Sequence, residues 1–365
     1  MANAAHRNVP LSRPIISDDE KQAVMKVLDS GMLAQGPVVE KFEQAFAKDV
    51  GVEHAIAVSS GTAALHVALL AHGIGPGDEV ITSSFSFIAS ANSVLYVGAR
   101  PVFADIDPVT YNLDPASVEQ KITPRTKAVM PVHLYGNPAD MDAFRALCKK
   151  HNLVLIEDAC QAHGAAVHGQ KVGSFGTGCF SFYPTKNITS GEGGMITTQD
   201  ANVAKRARMI RNHGMVERYK HGMLGFNLRM TDIHAALGLA QLGKLEARNN
   251  LRRQHAHTLN ERLKGVGLPA EQPGRHHVFH QYTIRLPKGR DAAVEQLAGR
   301  GVGVGVYYPR PIHQQSYYLE LGYRDSLPNT ERAAVEVLSL PVRPDLTPED
   351  IEHIVLSVNG LQLPN

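Results

Sequence analysis

The sequence has few cysteines, and their arrangement does not suggest a structural cross-link. Its 365 residues include three cysteines, Cys148, Cys160 and Cys179, and no two of them form a CxxC pair. An odd number of isolated cysteines predicts neither a disulfide framework nor a zinc site, and it fits a reducing compartment best.

Long apolar runs and blocks of like charge are also missing. No apolar stretch approaches the roughly 18 residues that a membrane-spanning helix needs, and the opening residues MANAAHRN lack the apolar region of a signal peptide. The 37 Lys and Arg residues are interspersed with 35 Asp and Glu residues, for a formal charge of +2. We therefore expect a cytoplasmic protein that binds neither nucleic acid nor a membrane.

What the sequence does contain is a regular alternation of short apolar runs and helical segments. The runs HAIAVSS, DEVITS, PVFADI and LVLIEDA alternate with segments such as GTAALHVALLAHG, and Ser17 and Glu20 have the capping-box spacing of a helix start. Strands that alternate with helices predict parallel pairing with helices on both faces, an α/β sandwich.

The length predicts one large domain and a smaller one. Residues 231–265 contain no proline and predict a long helix, after which the composition shifts to HHVFHQYTIRL and VGVGVYYPRPIH. We place the boundary near residue 248, which gives a large domain over 1–248 and a small α+β domain over 249–365.

Residues 59–65, SSGTAAL, lie where an apolar run ends and a helix begins. Gly61 lets the backbone approach a ligand, Thr62 adds a hydroxyl, and the first free amides of the helix suit a phosphate. An ordinary serine-capped helix explains the same residues, so the motif gains meaning only from its neighbours.

Two further stretches supply an acid and an amine. In LVLIEDACQAHG, Asp158 falls at the carboxyl end of a buried strand, where it can hold a protonated ring nitrogen or simply cap a turn. In SFYPTKNITSGEGG, Ser181 precedes Lys186 by five residues, and Lys186 is either an imine-forming amine or a solvated surface lysine. A phosphate cradle, an acid and such an amine together make a pyridoxal phosphate site.

The order of the motifs resembles the sugar aminotransferases of the DegT/DnrJ/EryC1/StrS family. The resemblance rests on SGTAAL, SFSFIASAN, PVHLYG, EDACQAHGA, SFYPTKNITSGEGG and GFNLRMTDIHAALG, in this order. It implies the type I aspartate aminotransferase fold, with a mostly parallel seven-stranded sheet between helices. It also implies pyridoxal phosphate as the cofactor, with pyridoxamine phosphate as its aminated form.

The resemblance assigns roles to individual residues. Lys186 matches the lysine that bonds to the cofactor and Asp158 the acid that pairs with its ring nitrogen, so these two are the expected catalytic residues. The expected cofactor-binding residues are Gly61, Thr62, Phe87, Asp158, Gln161, Ser181, Lys186 and Asn227. His163, beside the cofactor segment, and His313, near the sugar-nucleotide position of the family, are candidate substrate-binding residues. We assign no metal site.

Asn227 matches a residue that reaches the phosphate of the neighbouring subunit's cofactor. The resemblance therefore implies a homodimer with two shared active sites.

The predicted function is transfer of an amino group from glutamate to a nucleotide-linked keto-sugar, as in polysaccharide or lipopolysaccharide biosynthesis. The family's dehydratases have histidine in place of Lys186, so the lysine favours transamination. The GEGG text at residues 191–194 is similar to members that aminate C4, which favours a 4-keto-6-deoxysugar. The alternatives are amination at C3, amination of a cyclitol ketone, and a regulatory protein that binds pyridoxal phosphate without catalysis.

Overall fold

The computed structural model describes residues 7–363. The helices are α1 Asp18–Ser30, α2 Pro37–Val50, α3 Gly61–Ala71, α4 Ala89–Tyr96, α5 Pro115–Glu119, α6 Met141–His151, α7 Ala201–Arg211, α8 Asp232–Leu242, α9 Leu245–Arg262, α10 Arg290–Gly299, α11 Ser316–Glu320, α12 Pro328–Glu336 and α13 Pro348–Asn359. The strands are β1 His54–Val58, β2 Glu79–Ser83, β3 Arg100–Ala104, β4 Thr126–Met130, β5 Val154–Asp158, β6 Ala166–Val167, β7 Gln170–Lys171, β8 Thr177–Ser181, β9 Gly194–Thr198, β10 Met215–Glu217, β11 Lys220–His221, β12 Arg275–His276, β13 Tyr282–Arg285 and β14 Val337–Leu340.

A seven-stranded sheet forms the centre of the molecule, in the order β1-β9-β8-β5-β4-β2-β3. Strand β9 runs antiparallel to both of its neighbours, and the remaining pairs are parallel. The predicted mostly parallel sheet is therefore confirmed.

Helices cover both faces of this sheet, and strand β1 shows why. Its side chains alternate: Ile56 and Val58 belong to the apolar cluster that includes α3 and α7, while Ala55 and Ala57 belong to the cluster that includes α2. Successive residues of a strand point to opposite faces, so a strand buried on both sides is apolar throughout.

Strands β1, β5 and β8 all point the same way, which brings their carboxyl ends to one edge of the sheet. Asp158 ends β5 and is level with Cys179 of β8, and Ser181 ends β8. Helix α3 starts at Gly61, shortly after β1. This edge therefore collects the residues that the sequence motifs singled out.

The predicted long helix over 231–265 is wrong, because the chain breaks it into α8 and α9. The break falls at Gly243 and Lys244, between Leu242 and Leu245. Glycine is among the weakest helix formers, and the Lys244 amine bonds back to Ser17 and Asp19 near α1. Helix α8 packs against α1 and α2, whereas α9 packs against α13.

The C-terminal part has an apolar cluster of its own. It joins residues of α9, α10 and α13 to the antiparallel pair β13 and β14. Val9, from the N-terminal segment, also packs into this cluster and pairs with Val302. The boundary near residue 248 lies within α9 and stays a prediction.

No helix within residues 7–363 is both long enough and apolar enough to cross a bilayer.

Asp232 joins the start of α8 to the start of α2. Its carboxylate accepts the amides of Gly36 at 2.9 Å, Val38 at 3.2 Å and Val39 at 2.9 Å. The Asp232 side chain is buried, with 1% of the residue exposed, so these charge-assisted bonds satisfy the buried Val39 amide and the half-buried amides of Gly36 and Val38.

We expect Asp232→Ala to lower the free energy of unfolding by about 2 kcal/mol, because it leaves one buried and two half-buried amides without an acceptor. Urea or thermal unfolding measures the change. The matched control is Asp29→Ala at an exposed position of α1, for which a change within about 0.5 kcal/mol is expected. Equal stability of the two variants would contradict this role.

Candidate active site

A cavity of about 800 Å³ opens at the carboxyl edge of the central sheet. This volume is within the roughly 300–1,000 Å³ typical of small-molecule sites. Among the residues predicted from the sequence, those that line it are Gly61, Thr62, Phe87, Asp158, Gln161, Ser181 and Lys186.

The start of α3 and the end of β8 form one wall of the cavity in very close contact. The Ser60 hydroxyl accepts the Ala63 amide at 3.1 Å, so the amides of Gly61 and Thr62 are the first free donors of the helix. A Cβ atom at Gly61 would lie 2.6 Å from the Cβ of Ser181. The free amides of Gly61 and Thr62 and the hydroxyls of Thr62 and Ser181 are therefore close together, and only glycine fits at position 61. This group of hydrogen-bond donors suits a phosphate.

Asp158 is held in one orientation at the cavity wall. It is 4% exposed, and its carboxylate accepts the Ser90 hydroxyl at 2.7 Å and the Cys160 amide at 3.2 Å. Ser90 in turn bonds to the hydroxyl of Ser86 at 2.8 Å. The carboxylate can accept a further hydrogen bond from a group in the cavity.

Gln161 is fixed at both ends of its amide group. Its oxygen accepts the Tyr135 amide at 2.8 Å, and its nitrogen donates to the Tyr308 hydroxyl at 3.1 Å. Phe87, which is 57% exposed, has its ring centroid 6.3 Å from that of Tyr308. The two aromatic rings lie on the cavity lining, and the Phe87 ring is free to cover a bound ring.

Lys186 lies in the loop between β8 and β9, where its amide closes a turn to the Tyr183 carbonyl at 2.9 Å. Burial lowers the pKa of its amine below the ordinary lysine value, and the nearby Cys160 and Asp158 act in the opposite direction. A lysine that loses its proton more easily is a better nucleophile and proton acceptor.

The two predicted substrate-binding histidines do not line the cavity. His163 is 1% exposed, and its ring packs beside Phe180 and Phe182; burial and the charge of Lys186 lower its pKa to about 3. His313 is also 1% exposed and bonds to the Ser84 hydroxyl at 2.7 Å. Substrate contact by either residue stays a prediction that the cavity geometry does not support.

Asn227 also lies away from the cavity. It is exposed and pairs with Asn212 through an isolated backbone bridge. A role at the cofactor phosphate would require it to reach the cavity of another copy of the chain.

The sequence interpretation missed several residues of the lining. Ser86 and Ser90 stand four apart in SFSFIAS, a spacing that places them on one side of a helical turn. Tyr308 and Arg343 come from segments far along the chain, and no local motif marks them.

Curated relatives cover nearly the whole chain. It is 46% identical over 347 residues to a pleiotropic regulatory protein of Geobacillus stearothermophilus, covering 92% of this chain and 93% of that protein. It is 45% identical over 343 residues to UDP-N-acetyl-3-dehydro-α-D-glucosamine 3-aminotransferase of Acidithiobacillus ferrooxidans, covering 93% and 92%. Identity to GDP-perosamine synthase of Caulobacter vibrioides is 43% over 364 residues, covering 96% and 97%.

Solved structures agree in fold. DesV of S. venezuelae superposes with a TM-score of 0.91 at 40% identity, covering 96% of this chain and 98% of that one. The Bacillus subtilis protein ntda, solved with bound cofactor PMP, gives a TM-score of 0.88 at 34% identity, covering 94% and 82%.

The profile of the DegT/DnrJ/EryC1/StrS aminotransferase family matches residues 14–359, and the chain belongs to this family. It is a pyridoxal phosphate-dependent aminotransferase with the type I fold.

The cavity fits this cofactor: Gly61 leaves room beside Ser181, the Asp158 carboxylate lies on the wall, and the Lys186 amine lines the same space.

We expect Gly61→Ala to weaken pyridoxal phosphate binding by about tenfold or more, because the added methyl must displace Ser181 or the start of α3. Absorbance titration of the cofactor measures the affinity. The control Gly299→Ala adds a methyl group at the end of α10, where nothing lies within 4 Å, and should bind the cofactor like the parent. Unchanged affinity in Gly61→Ala would show that this close contact does not shape the cofactor site.

Proposed function

We propose that this enzyme transfers the amino group of glutamate to the ketone of a nucleotide-linked sugar, with a 4-keto-6-deoxysugar as the favoured acceptor. The observation that carries the proposal is the Lys186 amine and the Asp158 carboxylate on the wall of one cavity, with the Gly61–Ser181 cradle beside them. These are the groups that a pyridoxal phosphate-dependent transamination needs.

The cofactor, when bound, supplies a ring that stabilises negative charge on the substrate carbon next to nitrogen. Gly61, Thr62 and Ser181 would hold its phosphate. The Asp158 carboxylate, oriented by Ser90, would hold a proton at the ring nitrogen and so keep the ring electron-withdrawing.

Lys186 moves the proton at the reacting carbon. Because burial lowers its pKa, a larger fraction of the amine is neutral at neutral pH than in an exposed lysine. The neutral amine takes a proton from the donor carbon and returns one to the acceptor carbon in the second half of the reaction.

A nucleotide-linked acceptor is supported by two relatives whose names specify nucleotide sugars, at 45% and 43% identity. The GEGG text supports amination at C4. Amination at C3 is the second candidate, because one of those relatives is named as a 3-aminotransferase. The cytoplasmic location expected from the sequence stays a prediction.

The acceptor is tested by incubating the holoenzyme with glutamate and one ketone at a time. The set contains uridine, thymidine and guanosine diphosphate-linked 4-keto-6-deoxyhexoses and UDP-N-acetyl-3-dehydroglucosamine. We expect 2-oxoglutarate release and a 4-amino sugar, identified by NMR, with at least one 4-ketone. Turnover with the 3-ketone alone would favour C3. A protein that binds the cofactor but converts none of these, with glutamate leaving its spectrum unchanged, would favour the regulatory alternative.

We expect Lys186→Ala to lower turnover by about 10²- to 10⁴-fold, since it removes the proton-transferring amine.

Asp158→Asn should keep the cofactor bound but slow the glutamate half-reaction by orders of magnitude, measured by stopped-flow absorbance. The control is Lys127→Ala, at an exposed position of β4, which should retain full activity. Parent-like rates in either active-site variant would remove the assigned role.

We also propose a homodimer in which Asn227 reaches the phosphate bound by the partner. Its exposure, and its position away from the cavity of its own chain, support this arrangement.

Subunit complementation tests the shared site. Lys186→Ala and Asn227→Asp dimers should each be nearly inactive, the second because it places a carboxylate against the phosphate. After mixing, dissociation and reassociation, hybrid dimers should regain activity, because one of their two sites then carries neither substitution. If mixing restores nothing although hybrids form, or if the protein is monomeric at micromolar concentration, the shared-site proposal fails.

A further inference from the structure

The chain before α1 includes a segment that forms no helix, residues 7–15, which we call the N-terminal strap. One end of the strap is attached to the C-terminal part of the chain. The Val9 amide donates to the Gly301 carbonyl at 2.8 Å, and the Gly303 amide donates to the Val9 carbonyl at 2.9 Å. Val9 is 1% exposed and packs into the C-terminal apolar cluster, so this end is buried as well as hydrogen-bonded.

The other end of the strap is attached to helices α8 and α9. The Ile15 carbonyl accepts the Gln241 side-chain amide at 2.9 Å and the Arg248 guanidinium at 3.2 Å. Gln241 is 1% exposed, so the first of these bonds is shielded from water. The strap is therefore held at both ends, and residues 10–14 span the distance between the two attachments.

The GVGVG stretch at residues 301–305 forms the seat of the strap. A Cβ atom at Gly303 would lie 2.7 Å from the Leu11 amide nitrogen, and one at Gly305 would lie 2.7 Å from the Leu11 side chain. Distances below 3.0 Å are too short for a Cβ contact, so the strap lies this close only because both positions are glycine. This packing accounts for a glycine repeat that the cofactor site does not use.

The seated strap brings Leu11 and Ser12 to the cavity, which both residues line. Leu11 is half-buried and Ser12 is exposed, so this part of the lining lies where the cavity opens to solvent. Lys186 and Asp158 line the same cavity from the edge of the central sheet. The strap therefore forms part of the mouth of the cavity, whereas the reacting groups lie on a different wall.

The position of the strap at the mouth distinguishes the two substrates. Glutamate is a short molecule, and most of it lies within a few bonds of the reacting carbon. A nucleotide-linked sugar is much longer, because its diphosphate and nucleoside extend beyond the sugar ring that carries the ketone. A side chain at the mouth therefore contacts the acceptor far more than the donor.

We propose that Leu11 and Ser12 contact the nucleotide-linked acceptor at the mouth, and that Gly303 is a positioning residue that acts by seating the strap. This inference rests on the proposed function, since it takes a nucleotide-linked keto-sugar as the acceptor. Leu11 supplies an apolar surface, and the Ser12 hydroxyl supplies a hydrogen bond to the polar part of the acceptor. Contacts so far from the reacting carbon are the same before and in the transition state, so their loss changes the acceptor KM rather than kcat.

The test compares Gly303→Ala with the parent holoenzyme at saturating glutamate. The acceptors are uridine, thymidine and guanosine diphosphate-linked 4-keto-6-deoxyhexoses and UDP-N-acetyl-3-dehydroglucosamine, and the one with the highest turnover is used throughout. We expect the added methyl to displace the strap and to raise the acceptor KM roughly tenfold, with kcat within about twofold of the parent. Leu11→Ala, which keeps the seat but removes the apolar side chain, should raise this KM severalfold.

Two measurements separate this role from a general loss of structure. The rate of the glutamate half-reaction, followed by stopped-flow absorbance, and the affinity for pyridoxal phosphate should match those of the parent. Hydrogen-exchange mass spectrometry should show faster exchange in the peptide that contains Val9 in Gly303→Ala. The control is Gly299→Ala, shortly before the seat, where no atom lies within 4 Å of the added methyl; it should change neither the KM nor the exchange.

Faster exchange around Val9 with an unchanged acceptor KM in Gly303→Ala would overturn the acceptor role of the strap. An equal slowing of the glutamate half-reaction would show that the strap serves both substrates, which would overturn that role too. Parent-like exchange together with a parent-like KM would show that the strap does not depend on this glycine, and the assigned seat would be wrong.

If Gly303→Ala fails to fold, Leu11→Ala decides the question, because its backbone seat is intact and a parent-like acceptor KM would overturn the proposal. In each of these outcomes the parent still aminates the ketone, so the proposed function stands. A parent that converts none of the ketones would overturn the proposed acceptor together with the role of the strap.

Discussion

The partial removal of the Lys186 amine from water is the constraint on which the rest of the site depends. Burial disfavours the charged form of the amine and lowers its pKa. The lysine lies on the loop that connects two strands of the central sheet, β8 and β9. Lys186 lines the cavity from this loop, and Asp158 lies at the end of β5, the neighbour of β8 in the sheet.

Close packing at the same edge shapes the opposite end of the cofactor site. A Cβ atom at Gly61 would meet Ser181, and one at Gly194 would lie 2.2 Å from the carbonyl oxygen of Ser60. The start of α3 can therefore approach β8 and β9 only because two glycines lie in the contact. The backbone of the candidate phosphate cradle at Gly61 is thus fixed against Ser181 by close packing, whereas the Asp158 carboxylate is oriented by the Ser90 hydroxyl.

Much of this arrangement follows from the sequence, because parallel strands align their carboxyl ends. Asp158 and Ser181 each end an apolar run, so their meeting at one edge follows once the strands are parallel. Positions set by long-range packing were not predictable in this way. His163 and His313 belong to suggestive motifs, yet both are buried by neighbouring residues. The break at Gly243 depends on which helices α8 and α9 pack against.

Three arginines that line the same cavity, Arg13, Arg252 and Arg343, show the same limit of sequence-based prediction. Arg13, Arg252 and Arg343 are far apart in the chain, and each looks like an ordinary basic residue in its local sequence. Only the packing of the N-terminal segment, α9 and the segment after β14 brings them to one carboxylate. Their meeting at one carboxylate becomes visible only after the fold is known.

The most direct test of the account is to fix the cofactor to the protein by borohydride reduction and to map the labelled peptide by mass spectrometry. The account predicts a pyridoxyl group on Lys186 alone, with no label in Lys186→Ala. A label on another lysine, or labelling of Lys186→Ala equal to that of the parent, would contradict it.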